Sequence, residues 1–173
     1  LDLMRESGCQ QVLIGLESPS KKGLDGLELF SNWKMKQFDK YKYAIDKIQA
    51  HGITVNGCFI LGLDGQVKDI FDEVWKFVQE SGLYEVQITV MTAFPGTPLY
   101  SRLISEGRVL KENNWAMCTL FDVNFQPKAM SVKELEIGFR DLAEKVYSAE
   151  FTEHRRARFK EMLREVHRKD KTN

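Results

Sequence analysis

The sequence predicts an α/β fold of parallel βα repeats, and three observations carry that prediction. Three short apolar runs recur along the chain, Val12 to Ser18, Gly57 to Gly65 and Val86 to Pro98, each ending in a polar turn. The runs are close to continuously apolar, as strands buried on both faces should be. Between them lie stretches whose apolar residues recur at helical spacing. Strand, helix, strand, helix, strand at these lengths implies right-handed crossovers and a parallel sheet.

The elements follow in order. Residues 1–8 read as the end of a helix capped by Gly8, and the chain opens as if in mid-helix, so a longer parent sequence is expected. The first strand covers Val12 to Leu16 and is stopped by Pro19. Ser18 or Ser20 can cap a short helix over Lys21 to Leu29, which Gly23 and Gly26 weaken by about 1 kcal/mol each. Phe38, Tyr41, Ile45 and Ile48 mark an amphipathic helix closed by Gly52. The second strand runs from Ile53 to Leu61, with Asn56-Gly57 inside it signalling a bulge or a close backbone approach. Val67, Ile70, Phe71, Val74 and Val78 give the next helix, ending near Gly82, with Asp64 as the acceptor for its start.

The third strand spans Tyr84 to Thr92. Thr97-Pro98 reads as an N-cap followed by a first-turn proline, opening a helix to about Glu106. Residues 108–130 are irregular, with a short extended edge near Phe121 to Phe125. Ser131 and Glu134 form a capping box ahead of Val132, Leu135, Phe139, Leu142 and Val146. A last helix from Thr152 carries Phe159, Met162, Leu163 and Val166 on one face. The division is three βα units over residues 1–110, then an irregular segment and two helices over 111–173.

Composition bounds the function. The 173 residues are 43% hydrophobic and formally neutral, which is globular and demands neither nucleic acid nor a charged surface. The apolar runs fall well short of the roughly 18 residues of a membrane span, and a soluble, cytoplasmic protein is expected. Charge is uneven: residues 152–173 hold eight Lys or Arg against four acids, so residues 1–151 are acidic to the same degree. That basic helix is either a solvated packed helix or a surface for nucleic acid or an acidic partner. Cys9, Cys58 and Cys118 lack the spacing of a zinc or dithiol motif, and Cys9 and Cys58 read as buried small hydrophobes. His51, His154 and His167 do not converge on a metal.

In parallel α/β folds ligands bind where the strands end, because loops and free backbone amides converge there. That rule selects Glu17-Ser18, Gly62 to Gly65, and Thr92 to Thr97. A carboxylate at a strand end can hold a ribose hydroxyl or an ammonium, or it can be a solvated acid. Asp64 reads more simply as a helix cap. Phe94-Pro95-Gly96-Thr97-Pro98 is a rigid loop whose aromatic can face a base, or a plain type II turn.

With these strand ends in view, the sequence resembles the carboxyl-terminal half of the radical S-adenosylmethionine enzymes, in the branch that often carries a cobalamin-binding domain upstream. The matching stretches are Glu6 to Ser18, Gly52 to Gly65 and Thr92 to Tyr100, with Gly107-Arg108 and the helix from Ser131 to Tyr147 in support. The resemblance implies the last three strands of a (β/α)6 partial TIM-type barrel. It implies that Glu17 and Ser18 contact the methionine or ribose part of S-adenosylmethionine, that Gly57 and Gly62 approach the ribose and adenine, and that Thr92 to Phe94 meet the adenine. The family's CxxxCxxC loop, which holds a [4Fe–4S] cluster, is absent from this chain. Without that cluster no 5′-deoxyadenosyl radical forms.

The expectation is therefore a fragment, inactive alone, of an enzyme that uses S-adenosylmethionine, a [4Fe–4S] cluster and, in this branch, cobalamin. No cofactor is expected to stay tightly bound to the fragment. Its partners would be the missing amino-terminal half of the barrel, an unknown substrate, and other copies through raw sheet edges. The alternatives are a segment of another barrel enzyme binding a phosphate or nucleotide, and a non-enzymatic module acting through its basic helix.

Overall fold

The computed structural model describes residues 1–25 and 32–170, without the side chains of 167, 169 and 170. Three strands, β1 (Gln11–Glu17), β2 (Thr54–Leu61) and β3 (Glu85–Val90), form one parallel sheet in the order β1-β2-β3. Helices α1 (Asp2–Glu6), α2 (Lys21–Leu24), α3 (Trp33–Gln37) and α4 (Tyr41–Ala50) flank β1 and β2 in sequence. Helix α5 (Ile70–Ser81) links β2 to β3, and α6 (Pro98–Ser105), α7 (Val132–Val146) and α8 (Ala149–Asp170) follow. The parallel βα order read from the sequence is present.

Several expectations change in detail. Only the first residues of the helix expected over Lys21 to Leu29 are seen, as α2; positions 26–29 lie outside the described residues, as do Lys171 and the side chains of His167 and Lys169. Helix α3 was not anticipated. It starts from Asn32 in the left-handed region (φ 45°), with no side-chain cap and no apolar period to announce it. Helix α5 begins at Ile70 rather than Val67, with Asp69 at its N-cap position, so Asp64 is not its cap.

Among the described residues the sheet is covered mainly on one face. Along β2 the buried residues Val55, Gly57, Phe59 and Leu61 alternate with the half-open Asn56, Cys58 and Ile60. In β3, Val86, Ile88 and Val90 are buried, while Glu85 and Gln87 stay half-open. The run in β2 looked continuous because Cys58 and Ile60 are apolar, although they project onto the open side. Ile45 of α4, Val74 and Val78 of α5, and Leu135, Leu142 and Val146 of α7 complete the core on the covered face.

Residues 111–173 share that core. Val123, Phe125 and Met130 join the same cluster, and one antiparallel bridge, Val109 to Phe125, marks the extended edge expected near there. The local signals were legible. Ser131 Oγ accepts from Glu134 N at 3.2 Å while Glu134 Oε2 accepts from Ser131 N at 2.8 Å, the complete capping box. Thr97 Oγ1 accepts from Tyr100 N at 3.2 Å, with Pro98 in the first turn of α6.

Candidate functional site

At the carboxyl ends of β2 and β3 lies a cavity of about 630 Å³. Ile60, Leu63, Met91, Phe94 and Leu99 give it an apolar lining, and Asp25, Asp64 and Arg102 stand among its polar members. Thr92 lines it as well, its hydroxyl donating to Val90 O at 3.0 Å. Phe94 is 38% exposed beside the opening. The loop beyond it is the type II turn: Gly96 at φ 76° occupies the position that requires a positive φ, and Thr97 N donates to Phe94 O at 3.3 Å. Beneath this loop the buried Asn124 grips one residue with both ends of its amide. Its Oδ1 accepts from Ala93 N at 3.1 Å and its Nδ2 donates to Ala93 O at 3.3 Å.

The structure thus brings Thr92 and Phe94 together and sets the other expected residues elsewhere. Ser18 is fully buried; a Cβ on Gly23 would collide with its hydroxyl, and Gln66 Nε2 lies 3.4 Å from it. Gly57 sits in mid-strand, where a Cβ would stand 2.7 Å from Leu83 Cδ1 and 3.0 Å from Leu16 Cδ1. That is the close approach expected at Asn56-Gly57; the register irregularity lies instead in β1, between Gly15 and Glu17. Gly62 takes φ 88°, and a Cβ there would meet Leu135 Cδ2 and Phe125 Cζ at 2.9 Å. In this conformation the surroundings of Ser18, Gly57 and Gly62 are packing.

Gln66 is the residue that sequence reasoning missed. Its side chain accepts from Gly62 N at 2.8 Å and Leu63 N at 3.1 Å, and donates to Ile60 O at 2.9 Å. Together with Ser18 these contacts tie the end of β1 to the turn after β2. The signal was its place four residues beyond Gly62, within reach of the strand-end amides. For Asn124 the signal was a polar residue between Val123 and Phe125.

Glu17 lies at the end of β1 in the left-handed region (φ 65°), and Lys34 of α3 donates to its Oε1. Its charge reaches Cys58 on the open face: burial pushes that thiol up, and Glu17 adds to the rise. Asp64, at the edge of the cavity, is held by Arg108 Nη2 at 2.8 Å, Arg102 Nη1 at 2.9 Å and Lys128 Nζ at 3.3 Å. Burial pushes its carboxyl up, but the Arg108 hydrogen bond and charge, with Lys128 and Arg102, outweigh this and hold it below the usual range.

The cysteines are half-buried rather than enclosed, and among the described residues no three of His, Cys, Asp or Glu are grouped to hold a metal. The chain's own donors therefore do not fit a [4Fe–4S] cluster, which needs converging thiolates. Part of the basic charge of α8 is committed internally. Arg155 donates to Val146 O at 2.7 Å, Arg156 pairs with Glu85 at 3.1 Å, and Arg158 donates to Gln79 O at 3.2 Å. These contacts fasten α8 to α7, β3 and α5, while Lys160 and Arg164 are exposed. Among the described residues no helix is long and apolar enough to cross a membrane.

Residues 97–173 match a family described as a domain of unknown function, DUF4070. Over 146 residues the chain is 26% identical to a bacteriochlorophyllide d C-12(1)-methyltransferase of Chlorobaculum tepidum, covering 84% of this chain and 30% of that protein. It is 29% identical over 114 residues to the hopanoid C-2 methylase of Rhodopseudomonas palustris, covering 66% and 21%. An uncharacterized methyltransferase of Synechocystis is 28% identical over 127 residues, covering 73% and 23%. The chain spans less than a third of the length of each of these relatives. These matches are to methyltransferases, in agreement with the resemblance of the sequence to the carboxyl-terminal half of the radical S-adenosylmethionine enzymes.

Proposed function

We propose that this chain supplies the carboxyl-terminal wall of the S-adenosylmethionine pocket in a radical methyltransferase. It would form the last three strands of a (β/α)6 partial barrel, and the [4Fe–4S] cluster would be held by residues outside this chain. The observation that carries the reading is the cavity at the ends of β2 and β3, apolar enough for an adenine. Thr92 and Phe94 would meet the base, and Glu17 would hold the ammonium or a ribose hydroxyl. Ser18, Gly57 and Gly62 would act through the backbone they shape. Bound S-adenosylmethionine supplies the activated methyl group and the radical chemistry; the chain's own residues bind, orient and exclude water. Cobalamin would be carried by a further domain, and the chain alone would be inactive.

Titration of the chain with S-adenosylhomocysteine, followed by amide NMR, tests the pocket. Shifts concentrated at Glu17, Thr92 and Phe94 are expected, and shifts elsewhere overturn the assignment. Reading the coding sequence upstream of Leu1 tests the enzyme class. A three-cysteine motif is expected within about a hundred codons, a span taken from the size of the fold's repeats; its absence there sinks the radical reading.

A further inference from the structure

The carboxylate of Glu17 already has a counter-ion. Lys34 Nζ donates to Glu17 Oε1, and the side chains are 14% exposed for Glu17 and 25% for Lys34. Helix α3, which brings the lysine, is also fastened by its backbone. Tyr41 Oη is 3.3 Å from Lys34 O and 3.3 Å from Leu16 O, so one hydroxyl bridges the helix to the residue before Glu17.

Room for the pair comes from Gly15, where a Cβ would collide with Glu17 Oε1 and stand 3.2 Å from Lys34 Nζ. The register irregularity between Gly15 and Glu17, and the positive φ of Glu17, turn this one carboxylate out of the regular pleat. A non-glycine residue in that region is strained, and the strain persists only where the surroundings enforce it. A tolerated strain, a missing Cβ and a committed lysine converge on a single group.

A carboxylate with a full counter-charge gives little to a cationic ligand unless that charge departs. Lysine can depart, since its ammonium rides on a flexible four-carbon stem and is readily rehydrated. We infer that Lys34 is an exchangeable counter-ion: it holds Glu17 in the free protein, and the α-ammonium of an amino-acid-bearing ligand takes its place. Lys34 is thus a gate on affinity for the amino-acid end of the ligand and leaves the nucleoside end unaffected. The inference rests on Glu17 being a ligand-binding residue.

The test uses two ligands that share adenosine and a thioether. S-adenosylhomocysteine carries an α-ammonium and 5′-methylthioadenosine does not. Lys34→Met should tighten the chain's affinity for S-adenosylhomocysteine by roughly fivefold, the scale of one partly exposed ion pair. It should leave 5′-methylthioadenosine unchanged, and Lys34→Arg should behave as the parent. Equal tightening of both ligands, or none for S-adenosylhomocysteine, overturns the gate while leaving the pocket standing.

A ligand-free measurement separates the two readings. Acetylation of Lys34, scored by mass spectrometry against the exposed Lys36 of the same helix, should rise several-fold in Glu17→Gln. An unchanged rate overturns the gate whatever binds. A raised rate with no binding of either ligand by any variant supports the pairing, overturns the exchange and sinks the S-adenosyl reading with it.

Discussion

Asp64 and Arg108 lie 44 positions apart and meet at 2.8 Å, joining the turn after β2 to the residue that follows the α6 helix and its closing turn. Arg108 also donates from Nε to Gln126 O at 2.7 Å and from Nη1 to Glu106 at 2.7 Å. One guanidinium therefore fastens the cavity edge to the irregular segment covering it. Asp64→Asn should destabilise the protein by about 1–2 kcal/mol in urea unfolding, the scale of a charge-assisted bond that is only partly shielded. The folded carboxyl lies below its unfolded value of about 4, so its contribution is complete above that pH and fades as pH falls through the lower folded value. Acid unfolding of Asp64→Asn should be shallower than that of the parent below about pH 4.

A second acid response belongs to Glu134. The hydrogen bond from Lys68, followed by those from Ser131, holds its carboxyl at about 2. Its contribution should be present above the unfolded value near 4.5 and disappear as pH falls toward 2. Ser131→Ala removes one half of the capping box and should cost about 1 kcal/mol at neutral pH, read as a lower urea midpoint with an unchanged slope.

Gln66 tests how the two strand ends are coupled. Gln66→Leu leaves the buried amides of Gly62 and Leu63 without acceptors, at an expected cost of about 2–3 kcal/mol. Gln66→Glu retains the acceptor for both amides but loses the donor to Ile60 O and Ser18. Amide exchange at residues 62–63 should accelerate in the leucine variant and much less in the glutamate variant.

What the sequence made legible was local. Ser131 with Glu134, Thr97 with Pro98, and Gly96 in its turn are each read from within five residues, and each is found as read. The parallel strand order followed from helices of the right length between apolar runs. What stayed hidden depends on contacts across the fold. Gln66 donates to Ile60 O on β2 and accepts from the amides of the turn that follows it, and its partner Ser18 is 48 positions away. Asn124 closes on Ala93 from 31 positions away. Asp64 looked like a helix cap because a helix follows it, and only the return of Arg102, Arg108 and Lys128 shows its use. Of the cavity lining, the strand-end rule pointed to Thr92 and Phe94, but no periodicity could show that Glu17 meets Lys34.

Gly57 separates packing from ligand contact. Gly57→Ala places a methyl against Leu83 and Leu16, both in the core, and should cost about 1–3 kcal/mol of overpacking. S-adenosylhomocysteine affinity, measured where the variant is fully folded, should be unchanged. A specific loss of affinity with stability intact would restore Gly57 as a direct contact.

The two edges of the sheet are not equivalent, and that shapes how copies of the chain can meet. On β3, Ile88 N donates to Tyr147 Oη at 3.0 Å and Val90 N donates to Leu120 O at 2.7 Å. Two of the amides on that edge, those of Ile88 and Val90, are therefore occupied from within the chain. Edge strand β1 has no further strand beside it among the described residues. It borders a groove of about 700 Å³ lined in part by Ile14, Leu16, Trp33 and Tyr43. Leu13, Trp33 and Tyr43 are 64%, 58% and 65% exposed around it. A strand edge with no neighbouring strand among the described residues, beside an apolar groove, favours pairing. With β3 blocked at Ile88 and Val90, pairing through β1 closes after two copies, whereas two raw edges would permit an open polymer. Light scattering across concentrations should show monomer and dimer without larger species. Amide exchange in residues 11–17 should slow as concentration rises, while residues 85–90 should not respond. Growth beyond the dimer, or concentration-dependent protection of β3, would show that Tyr147 and Leu120 do not seal their edge.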